Sequence, residues 1–206
     1  DPRHATTPDI GADEYTSTLI PYSGTFGIGP DRRFTSFTEA VDSINERGIL
    51  DSVIFQVQSG YYNEQFSIPQ IAGVSETAYI VFESETGNAV DVTILFDPTP
   101  SNNYIVKLEG ADYVRFRNLS FNSGNSSYSH IIVLEGKCEG ISIENNIFHG
   151  RSEYSTMDMD AIIFSYNNIP LIHNLLIQNN TFNNGSYGIW IQNNGNTYGE
   201  KPIVSN

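Results

Sequence analysis

Two interleaved repeats in the second half of the chain constrain its fold more than any other feature. One family is YIVKLEG (104–110), HIIVLEG (130–136), DAIIFSY (160–166) and YGIWIQN (187–193), at steps of 26, 30 and 27 residues. The other is YVRFRNLSF (113–121), GISIENNIF (140–148) and NLLIQNNTF (174–182), at steps of 27 and 34 residues. Spacings in this range mark a solenoid, in which a repeat buries its apolar face only against its neighbours. Each unit reads as a strand, a short turn that often contains Gly, a second strand, an Asn turn, a third short strand ending in Phe, and a variable loop. A leucine-rich repeat requires a helix or an LxxLxL pattern, and a propeller blade requires roughly 40–45 residues. A parallel β-helix fits instead, one coil per unit, with coils stacked at about 4.8 Å.

The alignment also sets two columns. Asn118, Asn145 and Asn179 fall at one position of three coils, and Phe121, Phe148 and Phe182 at another. Of the 21 Asn, 16 lie after residue 103, and Asn is a poor strand former that tolerates left-handed turns and stacks its amides. The Asn column is therefore expected as a ladder at a tight turn. The Phe column is expected inside the tube, because a one-residue slip would turn it outward.

The first half supplies the entry to the solenoid. Residues 1–24 hold three of the nine prolines and no periodicity, and read as a linker or the tail of a preceding module. Residues 36–47, SFTEAVDSINER, predict an N-terminal capping helix: Ser36 and Glu39 suit a capping box, Phe37, Ala40, Val41 and Ile44 share a face, and Gly48 supplies the stop. Short strands follow at 53–57, 79–84 and 92–96. The closing EKPIVSN carries no covering segment, so residues 25–206 are expected to be one β-helix module that continues into further coils.

Composition narrows the function classes. With 10 Lys+Arg against 24 Asp+Glu the net charge is −14, which disfavours nucleic acid and anionic membrane surfaces as partners. No stretch reaches 18 apolar residues, so no membrane-embedded segment is expected, and the opening DPRH is not a signal peptide. One cysteine, Cys138, excludes an internal disulfide framework and a Cys-based zinc site, and His4, His130, His149 and His173 have no metal-ligand spacing. No metal and no cofactor is expected.

The segment FGIGPDRRFTSFTEAVDSINERGILDSVIFQVQSGYYNEQFSI, with its Gly-x-Tyr-x-Glu turn at Gly60, Tyr62 and Glu64, resembles the first coil of the pectin-lyase-like right-handed parallel β-helix superfamily. The wording is similar to β-helix modules of large secreted or surface proteins of bacteria that use type IX secretion, and PDIGADEY (8–15) resembles the closing strand of a preceding module there. The resemblance implies a right-handed coil, a secreted or cell-surface location, and as partners further domains of the same polypeptide, surface glycans or secretion machinery. It also implies that any active groove lies on the outer face of the first strand of each coil.

Strand alternation reads that face. Val106, Ile132, Ile162 and Ile189 are expected inward, as are Leu108, Leu134, Phe164 and Ile191. The outward columns are then Tyr104, His130, Asp160 and Tyr187; Lys107, Val133, Ile163 and Trp190; and Glu109, Glu135, Ser165 and Gln192. Trp190 is the candidate sugar platform, with Tyr187 beside it and Asp160, Glu135 and Gln192 as hydrogen-bonding partners. Glu109 and Glu135 either recruit a cation such as calcium or are neutralised by Lys107 and Lys137. MDMDAI (157–162) and FHG (148–150) resemble the superfamily's hydrolase motifs only in part, because Met159 interrupts the first and no Asn-Thr-Asp precedes them. No acid and base pair is therefore assigned. The expected function is a noncatalytic module of a large secreted or surface protein, a stalk or adhesive surface able to bind glycans. The alternative is a polysaccharide-active enzyme of the pectate lyase or polygalacturonase kind whose catalytic coils are degenerate or lie elsewhere.

Overall fold

The structure, a computed structural model, describes residues 19–124, 127–152, 155–167, 172–193 and 203–205, with the backbone alone at 166–167 and 192–193. Most of the expected lead-in, residues 1–18, lies outside the described residues.

The helix spans Phe37–Arg47 and buries Phe37, Ala40, Val41 and Ile44, the four residues of its apolar stripe. The Ser36 hydroxyl accepts from the Glu39 N–H at 3.1 Å, and the Glu39 carboxylate accepts from the Thr35 N–H at 2.7 Å. This is a capping box whose return bond falls one residue earlier. Gly48 ends the helix at φ +71°, donating to the Ile44 carbonyl, in a region that costs a side-chain-bearing residue free energy. The Gly-x-Tyr-x-Glu segment fastens the cap. Glu64 accepts from the N–H groups of Phe37 and Thr38, both at 3.1 Å, and the Tyr62 hydroxyl donates to the Gln58 carbonyl at 2.7 Å. Phe37 then stacks on Phe66, ring centres 5.2 Å apart, and seals that end of the core.

Among the described residues the strands form three long parallel sheets. Sheet A contains Tyr22–Ile28, Ile49–Val57, Ile80–Ser84, Val114–Arg117, Ser142–Glu144, Leu176–Gln178 and Ile203–Ser205. Sheet B contains Gly60–Asn63, Val92–Leu95, Ser120–Asn122, Ile147–His149 and Thr181–Asn183, and sheet C contains Phe66–Pro69, Val106–Glu109, Ile132–Glu135, Ile163–Asn167 and Ile189–Asn193. The chain visits A, B and C in turn and then rises one level, with a short fourth side at Cys138–Glu139 and Ile172–His173. The fold is an all-β parallel β-helix, coiled in the right-handed sense that strand twist imposes on parallel crossovers.

Aromatic stacking runs up the tube. Phe121, Phe148 and Phe182 pair at 5.2 Å and 5.2 Å with interplanar angles of 13° and 16°. A second stack, which the repeat alignment does not mark, links Phe55, Phe82 and Phe116 at 4.9 and 5.6 Å on sheet A. At the corner between sheets A and B, Asn118, Asn145 and Asn179 all adopt φ between 54° and 56°, so Asn serves there as a turn residue. The hydrogen-bonded amides lie one residue further on. Asn146 Nδ2 donates to the Phe116 carbonyl at 2.9 Å, its Oδ1 accepts from the Leu119 N–H at 3.0 Å, and its own N–H donates to Asn180 Oδ1 at 2.9 Å. Asn180 Nδ2 donates to the Ile143 carbonyl at 2.7 Å.

One expected register is corrected. Ile163, not Ile162, pairs with Ile132 and Ile189, and Phe164 pairs with Val133 and Trp190. Ile162 belongs to a preceding buried column with Ile105 and Ile131, formed where the Ile162 carbonyl accepts from both Ile131 and Ile132 and the Ile131 carbonyl from both Ile105 and Val106. Phe164 therefore faces outward, and Ser165 turns inward to full burial beside Leu134 and Ile191. The doublets Ile105-Val106, Ile131-Ile132 and Ile162-Ile163 carry this register.

Two outcomes follow for denaturant unfolding. Asn146→Ala strands a buried N–H and a buried carbonyl and is expected to cost about 2–3 kcal/mol, whereas Asn145→Ala is expected to cost about 1 kcal/mol and Asn145→Gly less. A larger loss at Asn145 than at Asn146 would contradict the assignment of the ladder. Phe148→Ala, which breaks the middle of a stack, is expected to cost about 3–5 kcal/mol.

Candidate functional site

The outer face of sheet C is built by alternation within strands of four or five residues. Backbone pairing places Ser67, Lys107, Val133, Phe164 and Trp190 in one outward column. At the lower end the Lys107 ammonium pairs with Glu109, lies 3.7 Å from Glu135, and sits 5.0 Å from the Tyr104 ring centre. The hydrogen bond that Lys107 donates to Glu109 raises the Lys107 pKa, against the effect of burial. Lys137 pairs instead with Glu139 at 3.4 Å. Glu109 and Glu135 thus share one lysine, and among the described residues no group of three or more His, Cys, Asp or Glu is placed to hold a metal ion.

At the upper end the rings gather. His130 stacks on Phe164 with centres 4.0 Å apart at 16°, and Tyr187 leans on Trp190 at 4.7 Å. Tyr187 is 38% exposed, whereas His130 is only 5% exposed. A backbone-level bracket holds His130: its N–H donates to Asn103 Oδ1 at 3.1 Å, its Nδ1 lies 2.8 Å from the Ala161 carbonyl, and Asn103 Nδ2 donates to the Met159 carbonyl at 2.8 Å. Burial lowers the His130 pKa, outweighing the opposite pulls of the Ala161 carbonyl, Asp158 and Asp160.

Asp160 is not on the face. It closes the short turn Asp158–Asp160 and is fully buried. Its carboxylate accepts from the Ser129 hydroxyl at 3.3 Å and from the Ser155 hydroxyl, and pairs with Arg151 at 3.4 Å. The register described above explains the displacement: Ala161 occupies the position expected for Asp160, across from His130 and Tyr187. Of the other expected ligand contacts, Trp190 and Tyr187 are together, and Glu135 lies with Lys107 at the far end of the column. The Gln192 side chain lies outside the described residues; its backbone pairs with Tyr166. Sequence alternation set His130 on the outward column but missed Phe164, its stacking partner, which the register at the Ile131-Ile132 and Ile162-Ile163 doublets locates. Cys138 is fully buried, and burial pushes its thiol up to about 12, so it carries no thiolate chemistry at neutral pH.

What this face can do is stack and accept. Its rings form an apolar strip with the Lys107, Glu109 and Glu135 cluster at its lower end, and aromatic rings suit the apolar side of a sugar. Among the described residues the face brings no pair of free carboxylates to opposite sides of a shared position, as glycoside hydrolysis requires.

No protein-family model matches the chain, and no curated protein matches it. Among solved structures, the chain is similar to the pectin methylesterase from Aspergillus niger in its penultimately deglycosylated form, at 17% identity over 89% of this chain and 84% of that one, with a TM-score of 0.42. The deglycosylated form of the same enzyme gives 15% identity over 91% and 86% of the two chains, also at 0.42. The fold assignment rests on the parallel sheets themselves.

The depressed His130 pKa fixes a pH response. A histidine that prefers its neutral form when folded binds fewer protons than in the unfolded chain, so stability falls as pH drops below the unfolded value of about 6.5, until the folded pKa is passed. The fall in melting temperature between about pH 8 and pH 5.5 is expected to shrink in His130→Gln. An unchanged pH profile in that variant would remove His130 as a cause.

Proposed function

We propose that this chain is a noncatalytic β-helix module of a large secreted or cell-surface bacterial protein, and that the outer face of sheet C is a glycan-docking strip. The observation that carries the reading is the exchange on that face: Phe164 stands where an aliphatic residue was expected, beside Trp190, while Asp160 is withdrawn and fully buried. Aromatic rings on neighbouring coils suit the repeated apolar faces of a polysaccharide. Catalysis of hydrolysis or elimination needs groups aimed at developing charge, which rings do not supply. The resemblance to type IX secretion cargo and the net charge of −14 support an extracellular module joined to further domains, with neutral surface glycans as the partner class.

The test is a glycan array followed by titration of the best binder. Trp190→Ala and Phe164→Ala are each expected to weaken binding roughly ten-fold, about 1.4 kcal/mol, with no product formed. Release of reducing ends or unsaturated products from pectic substrates would establish the enzyme reading instead. Absence of any array signal would leave a purely structural stalk.

A further inference from the structure

Sheet A carries a groove of about 450 Å3 on its outer surface, on a different sheet from the strip on sheet C. Strand alternation sets Arg115, Ser142 and Leu176 in one outward column as its floor, and Tyr113, Glu139 and Glu144 line its sides. Arg115 is the unusual member. Its guanidinium carbon lies 3.5 Å from the ring centre of Tyr79, a contact that fixes the side chain. Arg117, two residues along, pairs with Glu83 at 3.2 Å, but among the described residues Arg115 has no ion-pair partner.

The carboxylates beside it are committed elsewhere. Glu139 accepts from the Tyr113 hydroxyl at 3.2 Å and pairs with Lys137 at 3.4 Å, and Glu144 accepts from Gln178 at 2.8 Å and from the Ser142 hydroxyl. The wall depends on Gly140, at φ +67°, where a Cβ would lie 2.5 Å from the Tyr113 ring. The absent side chain lets that ring lie against the backbone. The groove thus brings into one lining a guanidinium fork seated on an aromatic ring and carboxylates held in place by their own partners.

The signs of these groups select the ligand. Glu76, Glu139 and Glu144 outnumber Arg115 in the lining, and the chain carries −14 overall, so a polyanion is repelled. A cation would have to displace the partners that Glu139 and Glu144 already hold, namely Lys137, Tyr113, Gln178 and Ser142. A sugar hydroxyl both donates and accepts and carries no charge, so vicinal hydroxyls satisfy the fork and the carboxylates together. The volume also suits one or two rings, since ligand sites run from roughly 300 to 1,000 Å3. We propose that this groove is a binding site for neutral pyranose sugars, independent of the strip on sheet C.

Amide NMR spectra of the full chain, titrated with cellobiose, lactose and maltose and in parallel with digalacturonic acid, test this. Saturable shifts are expected at the Tyr113, Arg115, Ser142 and Leu176 amides with at least one neutral disaccharide, and weaker or none with the uronate. Arg115→Lys keeps the stem and charge but loses the fork, and is expected to weaken binding roughly ten-fold. Asn174→Gly, at an exposed lining position with φ 52°, keeps the backbone shape and is expected to weaken it a few-fold. Trp190→Ala is expected to leave these shifts unchanged, which separates the groove from the strip. The inference is overturned by no saturable shift with any of the three disaccharides, by tighter binding of digalacturonic acid, or by an Arg115→Lys titration identical to that of the unaltered chain.

Discussion

Every strand of a parallel β-helix leaves its edge N–H and C=O groups for the coil above, so each coil must return to the same place with the same register. The corners impose that return. Left-handed residues stack at three of them: Asn118, Asn145 and Asn179 between sheets A and B, Tyr113, Gly140 and Asn174 before sheet A, and Gly110 and Gly136 after sheet C. Once the corners repeat, like side chains must lie on like. Phenylalanines then stack at about van der Waals contact, and an amide can bridge three levels, as Asn146 does between Phe116, Leu119 and Asn180. A buried amide is stabilising only if all its partners are present, which makes this corner the least tolerant part of the tube.

The same logic explains which features were legible in the sequence. The capping helix was, because Ser36, Glu39, Gly48 and the four buried apolar residues are local signals. The Phe121 stack was, because its spacing repeats on both sides of an Asn pair. The fourth strand of sheet C, Ile163–Asn167, was not read in register, since Ala161, Ile162 and Ile163 form an apolar run that satisfies either of two alignments. Alternation cannot choose between them; only the double acceptance at the Ile131 and Ile162 carbonyls does. The Asn-Asn pairs pose a similar ambiguity: one Asn turns the chain and the next bonds it, and both are Asn for different physical reasons. Of the candidate site, Trp190 and Tyr187 were legible as outward aromatics, whereas the placements of Phe164 and Asp160 depend on contacts between coils.

In-register stacking would also align like charges, at a cost of the order of the pairwise attraction it forgoes. Sheet A avoids this by alternating Glu83, Arg117, Glu144 and Gln178 up one column, with direct contacts at 3.2 Å between Arg117 and Glu83 and at 2.8 Å between Gln178 and Glu144. Sheet C meets the problem at Glu109 and Glu135 by placing Lys107 against both. Exposed pairs of this kind add little stability, about 0–1 kcal/mol each. Their value is that a chain carrying −14 can still stack its coils.

Asp160 shows how this architecture commits a charge to structure rather than to chemistry. The loop between sheets B and C on its coil is long, and it folds back so that Asp160 gathers Arg151, Ser155 and Ser129 while the Met159 and Ala161 carbonyls hold Asn103 and His130. His130 in turn supports the inner side of Phe164. Removing one partner from a buried charged network is more costly than the network is stabilising, so the carboxylate ties the loop to a single arrangement. The polar residues of that loop therefore act as the foundation of an apolar surface, and the orientation of Phe164 depends on groups that never reach solvent.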